Sequence, residues 1–397
     1  MKKQLRFGVI GLGGRGRSMM QHVILPRENV KIVAVCDVYQ DRVERALSIL
    51  QDAGTEAKGY QDYRKMIEEA HLDAVYIATS WQTHFDITIA CLEAGVAVGS
   101  EVGCSYSLEE CWKLVEVQER TKTPCMMLEN CCYGRDEMMI LNMIHQGVFG
   151  DMVHLRGGYQ HDLRREISYG YINRHYRIDN YKNRNCENYP THELGPISQM
   201  LNINHGNRMV SLTSMSSLSA GLHEYISNHE DVTPHLKDYH FAQGDIVTTM
   251  IKCAHGETIL LTLDTTLPRP YSRGLRIQGT KALFQEDNRS IFIDNEHNEY
   301  DFKWKEQYNN IDYYREKYEH PMWKQYIIDG VKSGHDGMDW LVMSAFIDAL
   351  ITDSPMPIDV YDMATWLSIS VLSEQSILMG SQPVAIPDFT RGKWVSE

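Results

Sequence analysis

The sequence lacks the long apolar runs and clustered cations that mark two large classes of protein. No stretch of its 397 residues approaches the roughly 20 consecutive apolar residues that a membrane-spanning helix needs. Lys and Arg are scattered and the formal net charge is -14, which argues against nucleic acid, because phosphate backbones are bound by clustered cations. We therefore expect neither a membrane nor a nucleic-acid partner.

The sequence also has no CxxC pair and no Pro- or Ser-rich linker, and we expect its first apolar run to be a strand. The nine cysteines have no CxxC spacing, which predicts reduced thiols in a cytoplasmic protein. Adjacent Cys131 and Cys132 diverge in direction and no His stands at ligand spacing, so we predict no metal site. Glycines break the apolar start of the chain within a few residues, which is typical of a first strand and not of a signal peptide.

A glycine-rich turn follows the first apolar run, in "LRFGVIGLGGRGRSMM". Gly11, Gly13 and Gly16 match the pattern G-x-G-x-x-G. The first glycine permits a tight turn, the second lets the backbone approach a pyrophosphate, and the third lets helix and strand pack closely. The motif predicts a dinucleotide site, although a simple glycine turn would give the same letters.

An acidic residue supports the dinucleotide interpretation. The second apolar run, "KIVAVCDV", reaches Asp37 about twenty residues after the last glycine, where a carboxylate accepts hydrogen bonds from the adenosine ribose. A carboxylate there repels a 2′-phosphate, so NAD is favoured over NADP. The alternative is that Asp37 caps the helix that begins nearby.

Strands and helices alternate up to about residue 130, which predicts a parallel sheet with helices on both faces. Ligands bind beyond the carboxyl ends of such strands. The polar and aromatic residues at these ends are therefore candidates, although each one alone is more often a cap or a loop hydrogen-bonding group. They are Thr79, Ser80, Trp81, His84, Glu101, Glu129 and Asn130.

The pattern changes after residue 130 to short alternating runs that predict a mostly antiparallel sheet. We predict an α/β Rossmann domain at residues 1–130, followed by an α+β domain with an open sheet at residues 131–397. Two apolar helices near the end are expected to pack back on the rest of the protein. The predicted strands are "VHLRGGYQ", "MVSLTSMSS", "DIVTTMIKC", "ETILLTLDTT", "LRIQGTKALFQED" and "SIFIDN".

A long polar segment at residues 161–192 is rich in tyrosine and arginine and has no strong periodicity. Long segments of this kind in a compact domain are usually functional or disordered. Aromatic faces stack on sugar C–H surfaces and guanidinium groups bind hydroxyls, so the composition suits a carbohydrate. A surface lid without specificity is the alternative.

The order of elements resembles the superfamily of glucose-fructose oxidoreductase, inositol dehydrogenase and rhizopine-catabolism proteins. That resemblance implies an N-terminal Rossmann domain and a C-terminal open sheet whose face carries the substrate. Dehydrogenases of this group typically carry Glu-Lys-Pro after the fifth strand, where the lysine assists proton transfer. This chain has Glu101, Val102 and Gly103 there, so the lysine is replaced.

Six further segments resemble glycoside hydrolase family 109, whose members are NAD-dependent and known chiefly as α-N-acetylgalactosaminidases. The segments are "SWQTH", "SEVG", "LENCCYGRDEMMILNMIHQGVFGDMVHLRGGYQHDLR", "YPTHELGP", "LPRPYS" and "GHDGMD". The resemblance implies that NAD is held by Gly14, Arg15, Gly16, Asp37, Trp81 to His84, Glu101, Val102 and Asn130. It implies a sugar pocket lined by Tyr159, Arg177, Tyr189 to His192 and Tyr271. The family usually has glycine at Glu193, a difference that we expect to narrow the pocket or change its charge.

The resemblance also implies the chemistry. Whereas ordinary glycosidases use two carboxylates, this family transiently oxidises C3 of the sugar, eliminates across C1 and C2, adds water and reduces C3 again. His192 is expected to take the C3 hydroxyl proton and Tyr159 the C2 proton. Tyr189 and Arg177 hold the sugar, Tyr271 closes over sugar and nicotinamide, and Glu129 binds the cofactor or relays protons.

The role of His192 rests partly on its spacing. Tyr189 and His192 are three residues apart, which puts both on one helix face if the helix has begun, and Thr191 is then a candidate cap. A structural histidine at a helix start is the alternative. His161 is a weaker candidate, because Asp162 and Arg164 beside it suggest an ion network.

Two other functions stay open at this stage. One is an NAD-dependent sugar dehydrogenase with an unusual proton relay, and the other is a catalytically idle NAD-binding sensor. The missing lysine favours the glycosidase over the dehydrogenase, and the presence of every candidate catalytic residue argues against the sensor. The open sheet that the resemblance implies predicts a homo-oligomer, either a dimer or a tetramer.

Overall fold

The computed structural model of the chain describes residues 4–298, 300, 303–332 and 334–395. The chain divides into two compact units. The first unit comprises Met1–Tyr133 together with Asp329–Ala364, and the second comprises Gly134–Ile328 together with Thr365–Glu397. The first unit therefore includes a C-terminal segment that the predicted boundary at residue 130 assigns to the second domain.

A six-stranded parallel sheet forms the centre of the first unit, in the order β3-β2-β1-β4-β5-β6. This is the predicted Rossmann arrangement, and its middle strands are apolar because helices cover both faces. Five strands match predicted runs, and β3 is an addition. The strands are β1 (Leu5–Ile10), β2 (Val30–Cys36), β3 (Lys58–Tyr60), β4 (Ala74–Ile77), β5 (Ala97–Ser100) and β6 (Cys125–Met127).

Helices of the first unit follow the strands in alternation. The start of α5 is capped by its own side chains, because Ser107 and Glu110 form a reciprocal capping box. The helices are α1 (Gly14–Met19), α2 (Gln40–Asp52), α3 (Tyr63–Glu69), α4 (Trp81–Glu93) and α5 (Leu108–Thr121). A π-helical turn, Met20–Ile24, continues α1.

The C-terminal segment of the first unit packs against this sheet through a later helix, α13 (Met338–Thr352). Phe346 lies edge-on to Phe7 of β1, with ring centroids 6.1 Å apart. The same ring lies against Gly99 of β5, where an added Cβ would be 3.0 Å from its edge. The glycine therefore makes room for the helix to rest on the sheet.

An eight-stranded, mostly antiparallel sheet forms the second unit, in the order β13-β12-β11-β7-β10-β9-β8-β14. Only the β7–β10 pairing within it is parallel among the described residues. The predicted run "LRIQGTKALFQED" is a hairpin of two strands, and the short β14 is an addition. The strands are β7 (Met152–Gln160), β8 (Met209–Ser216), β9 (Ile246–Cys253), β10 (Thr258–Asp264), β11 (Arg276–Gly279), β12 (Ala282–Gln285), β13 (Ser290–Ile293) and β14 (Val384–Ala385).

Helices of the second unit are interspersed with its strands along the chain. Two short ones fall in the segment for which the sequence shows no strong periodicity, and α9 packs on β7. The helices are α6 (Arg135–His145), α7 (Arg164–Tyr169), α8 (Arg177–Asn183), α9 (Thr191–Met200), α10 (Gly221–Ser227), α11 (Ile311–Tyr318), α12 (Pro321–Asp329) and α14 (Val360–Leu378).

Two further features concern the whole set of described residues. All nine cysteines are buried, and none of these described residues forms a disulfide. Among the helices that the structure describes, each is too short or too polar to cross a lipid bilayer.

Candidate active site

The glycine turn of the first unit has the geometry of a dinucleotide cradle. Gly11 has φ +93°, and an added Cβ there would collide with the carbonyl of Ala78. An added Cβ on Gly16 would collide with the Gly11 carbonyl oxygen, so these two glycines allow strand and helix to touch. Among the described residues outside the adjoining backbone, none has an atom within 4 Å of such a position on Gly14, and only Arg42, at 3.7 Å, approaches that of Gly13. The start of α1 therefore lies open to a ligand, which fits a bound pyrophosphate.

Asp37 ties this turn to the end of β2. Its Oδ2 accepts a hydrogen bond from the Leu12 amide at 2.7 Å, and its Oδ1 accepts one from the Tyr39 amide at 3.0 Å. The side chain is 5 % exposed, and Nη1 of Arg42 in α2 lies 3.6 Å from Oδ2. Asp37 thus lies beside the glycine turn, as the ribose interpretation requires, and the α2 N-cap position is occupied by Tyr39.

Arg15, in the same turn, is the centre of an ionic network. Its Nε donates to Glu101 at 2.8 Å, and its two terminal nitrogens donate to the two oxygens of Asp339 at 2.6 and 2.8 Å. Tyr76 donates to Glu101 at 2.8 Å, and Asn130 donates to Asp339 at 2.8 Å. The predicted residues Arg15, Glu101 and Asn130 therefore meet around a carboxylate that the sequence reasoning did not select.

Asp339 belongs to "GHDGMD", which carried the resemblance but received no role. Burial opposes its ionisation, yet hydrogen bonds from His335 and Arg15 hold the pKa of the Asp339 carboxyl well below its usual range. The His335 ring lies 2.8 Å from Asp339, and that contact raises the pKa of His335. No spacing rule links a glycine turn to an acid 324 residues away, so only the motif could have indicated Asp339.

The other predicted cofactor residues line the ends of β4, β5 and β6. His84 lies 3.1 Å from the Thr79 carbonyl, and burial lowers the pKa of His84 to about 4, so its ring is neutral. Trp81 is buried against Gly103, where an added Cβ would be 2.8 Å from the indole. This close approach explains why glycine follows Val102, which is itself buried. Glu129 is fully buried and accepts the Cys131 amide at 3.1 Å.

In the second unit, three predicted residues come together at the end of β7 and the start of α9. The rings of Tyr159 and Tyr189 have centroids 4.4 Å apart. His192 lies 5.3 Å from the Tyr159 ring and 4.8 Å from the Tyr189 ring, edge-on to both. The Tyr189 hydroxyl is 3.4 Å from Nε2 of His192.

Two more rings complete what we call the aromatic cluster: Tyr159, His161, Tyr189, His192 and Tyr271. The Tyr159 hydroxyl is 3.0 Å from Nδ1 of His161, and the His161 and Tyr271 rings are 5.2 Å apart. Burial lowers the pKa of His161. The predicted ion network is present, since Arg164 pairs with Asp162 at 2.7 Å, but His161 faces the aromatic cluster.

Arg177, at the start of α8, lies over this cluster. Its guanidinium carbon is 5.0 Å from the Tyr189 ring centre and 5.9 Å from that of Tyr159. Glu166 of α7 forms an ion pair with it at 3.2 Å. The long polar segment thus contributes a cation to an aromatic surface, which is an arrangement suited to a polyhydroxylated ligand.

The helix start at His192 differs in detail from the prediction. Pro190 occupies the N-cap position, and Thr191 is the first helical residue, so the prediction that Thr191 caps α9 is wrong. Proline suits this position because its fixed φ is compatible with a helix start. Tyr189 therefore precedes the helix, yet it still meets His192. Glu193, expected to affect the pocket, is fully buried.

The predicted cofactor residues other than Tyr271 lie in the first unit, and the predicted sugar residues lie in the second. Tyr271, predicted to touch both ligands, belongs to the aromatic cluster and is 51 % exposed. Its contact with the cofactor stays a prediction.

Comparison with known families matches the two parts of the chain to two different family models. Residues 5–129 match the oxidoreductase family with an NAD-binding Rossmann fold, and residues 133–396 match the C-terminal domain of glycosyl hydrolase 109. The fold and the glycine turn thus define a protein built on an NAD-binding oxidoreductase domain. The chain belongs to glycosyl hydrolase family 109.

Relatives match along almost the whole chain. A glycosyl hydrolase family 109 protein of Stenotrophomonas maltophilia is 41 % identical, covering 99 % of this chain and 90 % of its own length. An alpha-N-acetylgalactosaminidase of Tannerella forsythia is 40 % identical, covering 98 % of this chain and 87 % of its own.

Solved structures share the fold at low identity. The scyllo-inositol dehydrogenase of Lactobacillus casei, determined with NAD(H) and scyllo-inositol, has a TM-score of 0.69 at 13 % identity, covering 97 % of this chain and 99 % of its own. The myo-inositol 2-dehydrogenase of Lactobacillus plantarum has a TM-score of 0.69 at 16 % identity, covering 97 % and 100 %.

Proposed function

We propose that this chain hydrolyses a glycoside, of the α-N-acetylgalactosaminide type, with NAD as a recycled cofactor. Membership of family 109 and the relative named alpha-N-acetylgalactosaminidase support the substrate class. The observation that carries the chemistry is the contact of Tyr159, Tyr189 and His192 beneath Arg177. It provides two proton-transfer groups and a binding surface in one place.

The first unit supplies the cofactor site. The open start of α1 takes the pyrophosphate, Asp37 takes the ribose, and the residues around Arg15 and Trp81 form the rest of the cradle. When bound, NAD accepts a hydride from C3 of the sugar and later returns it, so the net reaction is hydrolysis.

His192 is the group that removes the C3 hydroxyl proton as C3 is oxidised. An imidazole suits this step because its ordinary pKa lies near neutrality. Tyr189, whose hydroxyl lies 3.4 Å from Nε2, orients the ring. The same imidazole returns the proton when C3 is reduced.

Tyr159 is the base at C2, whose proton is acidified by the new C3 carbonyl. Nδ1 of His161, 3.0 Å from the phenol oxygen, accepts its proton; burial lowers the pKa of His161, which keeps the ring neutral before the transfer and favours return of the proton afterwards. Loss of the C2 proton to Tyr159 expels the aglycone from C1 and leaves a C1–C2 double bond, and the aglycone takes a proton from solvent to leave as an alcohol. Water then adds at C1 and releases a proton to solvent, while Tyr159 returns a proton to C2.

Arg177, Tyr189 and Tyr271 bind the sugar in this proposal. The guanidinium of Arg177 donates to hydroxyl or acetamido oxygens, and the tyrosine rings stack on C–H surfaces. Tyr271, half exposed at the edge of the aromatic cluster, closes over the bound sugar and the nicotinamide.

We further propose a cytoplasmic homo-oligomer, either a dimer or a tetramer. Support comes from the large sheet of the second unit, which exposes apolar side chains on neighbouring strands. Met215 of β8 is 64 % exposed and Met250 of β9 is 42 % exposed.

The decisive experiment uses the protein as purified, with no added cofactor. It is expected to release nitrophenol from nitrophenyl α-N-acetylgalactosaminide, and the His192→Ala variant is expected to lose at least about a hundredfold in kcat while retaining NAD. Retained activity in that variant would exclude His192 as the base.

An exchange measurement separates this function from the dehydrogenase alternative. In deuterated water the released sugar is expected to carry deuterium at C2, because the proton that Tyr159 returns comes from solvent. Accumulation of NADH in step with an oxidised free sugar, without deuterium at C2, would establish the dehydrogenase instead.

A further inference from the structure

Glu193 directly follows His192, and its side chain lies inside the second unit. It is 0 % exposed, and Oε1 lies 3.0 Å from Nε of Arg273. Its methylene carbons rest on Gly157 of β7, where an added Cβ would be 2.5 Å from the Cβ of Glu193. The carboxylate is therefore neutralised within the unit.

Arg273 contacts a second buried carboxyl. Its Nη2 forms an ion pair with Glu137 of α6, whose side chain is 4 % exposed, while the Arg273 side chain itself is 12 % exposed. Burial raises the pKa of Glu137, and the charge of Arg273 opposes that rise. We call Glu137, Glu193 and Arg273 the arginine bridge, because one guanidinium joins α6 and α9.

Residues of the arginine bridge are close in sequence to residues of the aromatic cluster. Tyr271 is two residues before Arg273, and His192 adjoins Glu193. Between them, the Ser272 amide donates to the Gln160 carbonyl at 3.0 Å, directly after Tyr159. The arginine bridge therefore joins the segments that carry His192 and Tyr271, and the backbone hydrogen bond joins the Tyr271 segment to that of Tyr159.

We propose that Arg273 is a positioning residue that fixes Tyr271 and His192 relative to each other around the sugar. An isolated buried charge is costly, so the two carboxylates and the guanidinium hold one another in place. Lysine cannot replace the fork that reaches two carboxyls. The identity of the ligand as a sugar rests on the proposed function; the positioning does not.

The test compares Arg273→Lys and Glu193→Gln with a matched control, Glu319→Gln. Glu319 is a buried carboxyl of the second unit, paired with Arg135 at 2.8 Å, and it belongs to neither the arginine bridge nor the aromatic cluster. We expect kcat/KM to fall about 10- to 100-fold in Arg273→Lys, with KM raised, because small displacements of binding groups are costly. Glu193→Gln keeps the side-chain length and is expected to lie between Arg273→Lys and the wild type.

The control is expected to lower the melting temperature while leaving kcat/KM and KM unchanged. Equal kcat/KM values in Arg273→Lys and the control would overturn the proposal, and so would a loss of bound NAD in Arg273→Lys alone. NAD content is therefore measured for each variant.

Hydrogen exchange without substrate makes the proposal independent of turnover. Arg273→Lys is expected to speed exchange of the Ser272 amide and its neighbours, and the control is expected not to. If the wild type hydrolyses no glycoside, the proposed function fails, and this exchange result still decides the positioning role. Unchanged exchange at Ser272 would refute it.

Discussion

Glu187, two residues before Tyr189, is a buried acid that the proposed chemistry does not use. It is 1 % exposed, and burial raises the pKa of this carboxyl to about 8, against a hydrogen bond from the Tyr189 amide. At neutral pH the group is therefore mostly protonated. Because Glu187 lies in the interior of the second unit, its ionisation changes the free energy of unfolding with pH.

We expect Glu187 to make the protein less stable as pH rises. Because the folded pKa lies above the ordinary value of 4.5, its contribution is complete below about pH 4.5 and is lost as pH rises to about 8. Each pKa unit corresponds to about 1.4 kcal/mol. Glu187→Gln, which cannot ionise, should melt higher than the wild type at pH 9 and about equally at pH 4.5.

Melting temperatures across that range check this expectation. The matched control is Glu316→Gln, the same change at an exposed position of α11. Parallel curves for wild type and Glu187→Gln would show that the buried carboxyl does not titrate as expected.

Site residues that lie close together in one sequence motif were predicted correctly to be in contact. Tyr189 and His192 share one tetrapeptide, so their contact survived an incorrect assignment of the helix cap. His161 is a weaker candidate from the sequence because Asp162 and Arg164 suggest an ion network, although alternation along a strand puts residues 159 and 161 on one side. Its bond to the Tyr159 hydroxyl depends on side-chain direction, which the local composition did not reveal.

At the scale of elements, strands with a continuous apolar run or regular alternation were predicted well. β9 alternates buried and exposed residues along its length, and β1 is almost wholly buried. The additions β3 and β14 have three and two residues, too few for a period to be visible. Such short strands are defined by backbone hydrogen bonds to a neighbouring strand. That strand is distant in sequence, so the few residues of the short strand do not indicate the pairing.

The helix α13 presents Asp339 to the glycine turn, and this contact is testable. Asp339→Asn removes the charge that holds Arg15, leaving Glu101 as its carboxylate partner in the network. We expect the turn to loosen and NAD affinity to fall about tenfold, or roughly 1.4 kcal/mol.

Cofactor content after gel filtration measures that loss. Asp348→Asn is the matched control, because Asp348 lies on the same helix and is exposed. Equal retention in the two variants, or tighter binding in Asp339→Asn, would contradict a holding role for Asp339.

At the scale of the whole molecule, the two sheets followed from the change of periodicity near residue 130. The return of Asp329–Ala364 to the first unit did not. The helix α13 in this segment is apolar on most sides, which indicates that it is buried. The apolar pattern does not indicate which sheet covers it. The packing of Phe346 against Phe7 of β1 and Gly99 of β5 determines the partner sheet. This packing depends on the shapes of residues that are far apart in the sequence.

The proposed oligomer gives a prediction at this scale. Met215→Glu combined with Met250→Glu places two charges on the exposed face of β8 and β9, and we expect it to yield monomers, because interfaces exclude unpaired charge. Leu378→Glu, at an 81 % exposed position of α14, is the control and should leave the assembly intact. Light scattering measures the mass, and an unchanged mass in the double variant would exclude this face.

The burial of every native thiol has a practical consequence for experiments on this protein. A maleimide dye added to the folded chain should find no ready target, so one cysteine engineered at a surface position becomes a unique attachment point. Fluorescent or spin labels for distance measurements can then be attached to either unit without first replacing the native cysteines.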